Sequence, residues 1–548
     1  MYLRQAAANL LRRRIRFPSQ TPLPIPISKK EKFSYEFGSG GSNWRFNQGD
    51  SRLGFLLFGN AAIVLGINSS PVLAEEVSTG RNTQNDTEGA DVNGLRKIED
   101  GSVISNIHTS KWRVFTDHGR DLFMQGKSKE AEGFFLAALE EAKKGFGERD
   151  PHVASACNNL AEFYRVNKSF DKAEPLYLEA INILEETYGS DDIRVGSAFH
   201  NLGQFYLAQR KLEEARICYE SALKIKGRVL GLNHADYADT MYHLGTVLYL
   251  LGKEKDAEDL ILDSIRILEE GGQGESTLCL RRYRYLAQIY LSTNHFEEAE
   301  KVQRKILHIL ELTKGWNSLD VVTVAEGLAL TLQMQPAGSL KEAQELFERC
   351  LDARKKLLPH DHIQIGKNML HIARLKMLNS NRLTKMDIYE AIIELDEAKD
   401  CLNDSVRIGR SFLAKLMKQN GKMQSYGAPG EATKNIQEAL VILMQSLDTL
   451  GCLEITKKEL LELKDEQSVI DAEVPLLRCI SAYQELGKEI SDVVKVKAEY
   501  LSCLKHLAIV LTYPGAGRTQ QSKGVNLQDI KEEIKRLEAE VSHRKRRN

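Results

Sequence analysis

The sequence predicts an all-α protein, a right-handed solenoid of stacked helix pairs, and three observations lead to that class. A leucine recurs every 42 residues, at Leu160, Leu202, Leu244, Leu286, Leu328 and Leu370. In five of the six cases the next residue is Gly or Ala, which allows two helices to approach closely. Segments rich in Gly, Pro and polar residues separate the units. Such a period is typical of helix pairs that must stack to bury their apolar faces.

Each unit is predicted to contain helix A, a short turn, helix B and a connector. In NNLAEFYRVNKSFDKAEPLYLEA, residues 158–180, the leucine belongs to helix A and the turn lies at Asn167–Ser169. Helix B has its own series of alanines, at Ala131, Ala173, Ala215, Ala257, Ala299 and Ala343. In the first unit His118 takes the leucine position. We therefore predict about seven units over residues 112–405.

The period decays after the sixth leucine, and the rest of the chain is assigned by amphipathic pattern alone. Residues 406–513 are predicted to form degenerate helical repeats and a cap. Residues 514–548 are predicted to be a linker followed by a charged C-terminal helix.

The first 52 residues are predicted to be an organelle transit segment. They contain ten Lys and Arg residues against three acidic ones, a net charge of +7, so the other 496 residues carry −8. The start, MYLRQAAANLLRRRIRF, is rich in Arg, has no acidic residue and places its leucines on one helical face, which favours import into mitochondria. The alternative is a disordered basic tail.

Residues 53–74 form an uncharged, largely apolar segment, LGFLLFGNAAIVLGINSSPVLA. Three interpretations remain open: a membrane anchor, a second sorting signal that is cleaved, and a buried helix in neither role. Residues 75–111 are predicted to be a linker. We expect a mitochondrial location, in the inner membrane or the intermembrane space, with the chloroplast thylakoid as the alternative.

The repeat array offers little chemistry. We find no nucleotide-binding or hydrolase motif, and we predict neither enzymatic activity nor a cofactor. The eight cysteines have no zinc-binding spacing and are interpreted as small buried apolar residues. The sequence His360–Asp361–His362 lies in a connector, where a surface loop is expected rather than a metal site. The acidic body of the chain also argues against nucleic-acid binding.

The unit resembles the tetratricopeptide repeat, in the 42-residue form of the kinesin light chain. The resemblance rests on GERDPHVASACNNLAEFYRVNKSFDKAEPLYLEAINILEETYG and covers roughly 55% of the chain. It implies a concave groove lined by the A helices that binds peptides or partner proteins. The Asn of NNLA belongs, in that family, to a ladder that holds a peptide backbone, and the resemblance carries this role to Asn159 and Asn201.

Two series of positions are expected to face the groove, one residue and five residues before the helix A leucine. The candidates for peptide contact are Asn159, Asn201, His243, Arg281, Tyr285 and Arg165. The clamp of lysines and arginines that holds chaperone tails in related repeats is not expected, because Ser155 and Asp239 stand where lysines are required. Arg281 is expected to face an acidic or polar group of the bound peptide.

These observations favour a non-enzymatic scaffold that binds proteins or peptides and is targeted to an organelle, with membrane anchoring through 53–74 as one interpretation. The alternative is a cytosolic cargo adaptor like the kinesin light chain. An RNA-binding repeat protein is less well supported, because such proteins have a basic concave face.

Overall fold

The computed structural model describes residues 106–335, 339–383, 387–420, 429–462, 472–487, 494–512 and 527–547. The predicted transit segment 1–52, the segment 53–74 and most of the linker 75–111 lie outside these residues. The described part of the chain contains helices and their connections and no β-strand. The helices fall into two compact units whose boundary lies between Arg282 and Tyr283.

The first unit consists of four helix pairs and the start of a fifth. Its helices are α1 (Ile107–Met124), α2 (Ser128–Phe146), α3 (Pro151–Val166), α4 (Phe170–Tyr188), α5 (Ile193–Ala208), α6 (Leu212–Val229), α7 (Ala235–Leu250), α8 (Glu254–Glu270) and the first part of α9 (Thr277–Ser292). Odd-numbered helices are the predicted A helices and even-numbered ones the B helices, so the all-α architecture of helix pairs is confirmed.

The second unit continues with helix pairs and then longer, less regular helices. Its helices are the rest of α9, then α10 (Phe296–Lys314), α11 (Leu319–Met334), α12 (Leu340–Leu357), α13 (Ile363–Leu383), α14 (Ile388–Asn420), α15 (Pro429–Glu462), α16 (Glu473–Ala482), α17 (Val494–Thr512) and α18 (Leu527–Arg547). A single π-helical turn, Tyr483–Gly487, follows α16.

The periodic residues are the ones that pack each pair. All six alanines of the B helices are fully buried, and the six leucines of the A helices are at most 5% exposed. The small residue after the leucine lies against an aromatic or aliphatic side chain of helix B. A Cβ added to Gly203 would lie 2.9 Å from the Tyr219 ring, and one added to Gly119 would lie 3.1 Å from Phe135. These contacts explain why Gly or Ala is needed there.

The ends of the repeats follow the same period. Asp150, Asp192 and His234 lie 42 residues apart, and each side chain accepts a hydrogen bond from a backbone N–H in the first turn of its A helix. This satisfies a backbone donor that the helix itself leaves unpaired. In the turns from helix A to helix B, one residue per repeat has a left-handed backbone, with φ between 60° and 79°: Gly126, Lys168, Arg210, Gly252 and Asn294.

The C-terminal helices of the second unit share one apolar core. Helices α14 to α18 contribute to it, with Leu440, Leu447, Leu476 and Leu507 among its fully or almost fully buried members. Among the described residues, one helical segment, Asn435–Leu461 in α15, is long and apolar enough to cross a membrane, and most of it is buried against other helices.

Candidate functional site

Two of the predicted groove asparagines lie on consecutive A helices of the first unit. Asn159 on α3 and Asn201 on α5 are both partly exposed. The Asn201 side chain donates a hydrogen bond to the Asn158 side chain at 3.1 Å. Because a primary amide has two donor hydrogens and an acceptor oxygen, this bond leaves Asn201 further capacity for a ligand.

The next two A helices place charged side chains together around Asp239 on α7. Arg282 of α9 has no exposed side-chain surface, and it donates to the Ser264 carbonyl at 2.7 Å and to Asp239 at 3.3 Å. Arg281 lies 3.5 Å from the same carboxylate. Both guanidiniums also approach the ring of Tyr242, at 5.4 and 5.7 Å from its centre. These five residues define the Asp239 cluster.

Arg281 is the member of the cluster that is best placed to meet a ligand. Its side chain is 18% exposed, whereas that of Arg282 is fully buried. The Nε atom of Arg281 is buried without a hydrogen-bond partner, and Nη2 lies 3.5 Å from the Asp239 carboxylate. These two donors are closed to solvent, so a ligand would meet Arg281 at the exposed part of its side chain.

Two histidines border the cluster. His200 and His243 each place Nε2 within 3.8 Å of the Asp239 carboxylate, and the His243 ring stacks on Tyr219. Burial lowers the pKa of His243 to about 4 and that of His200 well below its usual value, so both rings are neutral at pH 7. Burial alone would raise the pKa of Asp239, but the histidines and arginines that face it hold that pKa well below its usual range.

The cluster carries an excess of positive charge. Lys226 of α6 is buried beside it, and burial lowers the pKa of this lysine. With the histidines neutral, three positive charges, those of Lys226, Arg281 and Arg282, face two carboxylates, those of Asp239 and the half-exposed Asp236. Although His200, Asp239 and His243 are close enough to share a metal ion, the two guanidiniums occupy the carboxylate and repel a divalent cation. The arrangement suits an anion instead.

The predictions that His243 and Arg165 contact a peptide in the groove are wrong, because both side chains are buried. The arginine is buried on α3, where its guanidinium forms an ion pair with the Glu162 carboxylate at 2.7 Å. Tyr177 of α4 donates a hydrogen bond to the same carboxylate. Arg165 therefore stabilises the packing of α3 on α4 and is not presented to a ligand.

The other residues that the sequence analysis named lie in the second unit. Tyr285 is partly exposed and belongs to the unit that begins at Tyr283, where it has contacts of its own. In the connector before α13, Asp361 forms an ion pair with Lys415, and His362 accepts a hydrogen bond from the backbone of Gln364. These contacts account for the loop without a metal ion.

The second unit contains a buried ionic cluster that the sequence did not predict. Glu326 of α11 accepts two hydrogen bonds from Arg354 of α12, both at 3.0 Å. Lys367 and His371 of α13 lie 3.3 and 3.6 Å from the same carboxylate. Burial alone would raise the pKa of Glu326, but Lys367, Arg354 and His371 hold it well below its usual range. This cluster fixes three consecutive helices to one another.

The interpretation of the cysteines is wrong for two of the eight. Cys479 of α16 and Cys503 of α17 form a disulfide bond. The other six are free, and all but Cys401 are buried. The disulfide joins helices that also stack Tyr483 on Tyr500, with the ring centres 3.9 Å apart.

Helix pairs of 42 residues, packed through Leu, Gly or Ala on helix A and Ala on helix B, define a tetratricopeptide-type scaffold for protein–protein interaction. Family models described as tetratricopeptide repeat match residues 152–228, 194–270 and 325–364. These segments of the chain are tetratricopeptide repeats, as the sequence predicted. No curated protein matches the chain.

The chain is similar to several solved structures of repeat proteins. A putative kinesin light chain from Podospora anserina, with nearly identical tetratricopeptide-like repeats, is 22% identical, with a TM-score of 0.35; the match covers 38% of this chain and 98% of that one. BtubC from P. vanneervenii is 17% identical, with a TM-score of 0.34, over 46% of this chain and 93% of that one. The apo form of RapI is 12% identical, with a TM-score of 0.41, over 73% and 97%.

Proposed function

We propose that the chain binds a partner protein through the A helices of its first unit, and that an acidic group of the partner is held at Arg281. The bound segment would lie along α3, α5, α7 and the start of α9. Asn159 and Asn201 would hydrogen-bond its backbone, and the Asp239 cluster would receive a carboxylate. The protein would act as a scaffold without chemistry of its own.

The observation that carries this proposal is the partly exposed side chain of Arg281 within a site of excess positive charge. Asp239 and Asp236 neutralise only part of the charge of Arg281, Arg282 and Lys226. A carboxylate that meets the exposed part of Arg281 would add the missing negative charge. Hydrogen bonds between charged groups of this kind contribute about 1.5–3 kcal/mol each.

The test is affinity capture from an organelle extract with the full chain as bait. We expect the variant Asn159→Ala/Asn201→Ala/Arg281→Glu to lose the partners that the wild type retains. Arg266→Glu is the matched control, because it reverses an exposed charge on helix α8. An oligoglutamate peptide should compete with the partners, and an oligoglutamine peptide should not. If the triple variant keeps its helical content and every partner, the groove is not the binding site.

We further propose that the protein is imported into the mitochondrion and acts in the intermembrane space or at the inner membrane. The support is the Arg-rich start and the uncharged segment 53–74. The mature N-terminus tests this: a start near Glu75 indicates a cleaved sorting signal, and a start before Leu53 indicates an anchor. A C-terminal fluorescent fusion in chloroplasts, or on microtubules, would contradict the mitochondrial location, and the second result would favour the cargo adaptor.

A further inference from the structure

We propose that Asp448, Cys452 and His506 form a zinc-binding site in the C-terminal core of the second unit. Asp448 and Cys452 lie one turn apart on α15, and His506 lies on α17. One ligand atom of each residue, a carboxylate oxygen, a sulfur and an imidazole nitrogen, lies within 4.8 Å of the other two. Thiolate, imidazole and carboxylate are the ligands that Zn²⁺ takes in proteins.

The distances between these atoms agree with such a site. The Cys452 Sγ atom lies 3.5 Å from Nδ1 and 3.6 Å from Nε2 of His506. In a tetrahedral site, a Zn–S bond of about 2.3 Å and a Zn–N bond of about 2.0 Å place the two ligand atoms about 3.5 Å apart. Nδ1 of His506 lies 2.7 Å from Oδ1 of Asp448, which is a hydrogen-bond distance. Removing the shared proton would let the carboxylate move back by about 0.7 Å into a ligand position.

The charged neighbours distinguish this site from the group formed by His200, Asp239 and His243. In that group the aspartate lies beside two guanidiniums. His506 contacts a carboxylate and a thiol, and Ser502 donates a hydrogen bond to Asp448 at 3.3 Å. The Ser502 hydroxyl would thus orient the Asp448 carboxylate from outside the coordination sphere.

The first experiment measures zinc in the full chain, purified without added metal and without chelator. We expect about one equivalent per chain by elemental analysis. Replacing zinc with Co²⁺ should give the absorption of a thiolate-bound, tetrahedral cobalt ion. A folded wild-type chain with neither zinc nor this cobalt spectrum would overturn the proposal.

Variants assign the signal to the proposed ligands. Cys452→Ser and His506→Gln should abolish the thiolate–cobalt absorption, whereas Cys218→Ser, which changes a buried cysteine of the first unit, should keep it. The double variant Cys479→Ser/Cys503→Ser should keep it too, because those sulfurs are joined to each other. Absorption that persists in Cys452→Ser would place the metal elsewhere and refute the site.

A third measurement needs no variant and so remains decisive if a variant fails to fold. Because thiolate and imidazole must both be deprotonated to bind Zn²⁺, the apparent zinc affinity of the wild type should rise with pH. An affinity that does not rise with pH would contradict coordination by Cys452 and His506.

Discussion

The Glu326 cluster offers the sharpest test of how the second unit is held together. Arg354 is buried, and Glu326 neutralises it through two hydrogen bonds of 3.0 Å. Replacing Glu326 by Leu leaves this guanidinium in the core with only the Asn368 oxygen, at 2.6 Å, as a partner that the structure defines. Breaking a buried pair from one side costs about 3–5 kcal/mol of unfolding free energy.

Replacing both partners should cost much less than the sum of the two single changes. Glu326→Leu/Arg354→Met removes the charge together with its counter-charge, and such exchanges are often close to neutral. Lys367 then loses its partner, but it is partly exposed and can turn to water. We therefore expect a coupling free energy of at least about 3 kcal/mol between the two substitutions.

The assay is urea unfolding of the wild type, both single variants and the double variant, followed by circular dichroism at the same pH and salt. The matched control cycle uses Glu213→Leu and Arg216→Met, an exposed pair on α6, where the coupling should stay below about 1 kcal/mol. If the effects of Glu326→Leu and Arg354→Met on the unfolding free energy simply add, the two side chains do not stabilise the second unit as a pair.

Three further predictions concern packing, pH and the disulfide. Gly203→Ala places a methyl group 2.9 Å from the Tyr219 ring and should lower the unfolding free energy by about 1–3 kcal/mol. Gly133→Ala, where nothing lies within 4 Å, should raise the unfolding free energy by about 0.5–1 kcal/mol. Thermal unfolding measures both changes. Burial lowers the pKa of His243 from 6.5 in the unfolded chain to about 4 in the folded one. The neutral ring therefore contributes fully to the unfolding free energy above pH 6.5. As the pH falls from 6.5 to 4, this contribution decreases by about 1.4 kcal/mol per pH unit. His243→Phe should flatten the acid side of the stability–pH curve; an unchanged curve would contradict this. Reducing the bond between Cys479 and Cys503, which are 24 residues apart, should lower the stability of the C-terminal helices by about 3 kcal/mol, and a chain that unfolds alike with and without reductant would refute this.

The fold could be predicted because one spacing recurs in both helices of each pair. The period also carries information about the site. Asp239 and Arg281 are 42 residues apart, so consecutive A helices place them side by side. Arg282 occupies a position at which the three preceding repeats have Ala156, Ala198 and Thr240. A charged residue in a series of small ones is a signal that its side chain is buried.

Other contacts could not be predicted because no period connects their members. His506 meets Asp448 across 58 residues, in a region where the repeat has decayed. The pairing of Cys479 with Cys503 likewise depends on how α16 packs on α17. The burial of Arg165 could not be predicted for a different reason. Its partner, Glu162, lies three residues earlier on the same helix, and ion pairs at this spacing are usually exposed on the helix surface.

The left-handed residue in each turn from helix A to helix B has a consequence for how this chain could change in length. The same backbone conformation is adopted by Gly126, Lys168 and Arg210, so the turn does not depend on a particular side chain. Deleting residues 169–210 would join Lys168 directly to Lys211, which now follows Arg210. The turn would then keep a left-handed residue at the same position. The array is therefore modular: whole repeats can be removed or duplicated without designing a new turn. Under the proposed function, each such change would shorten or lengthen the surface available to a partner by one repeat.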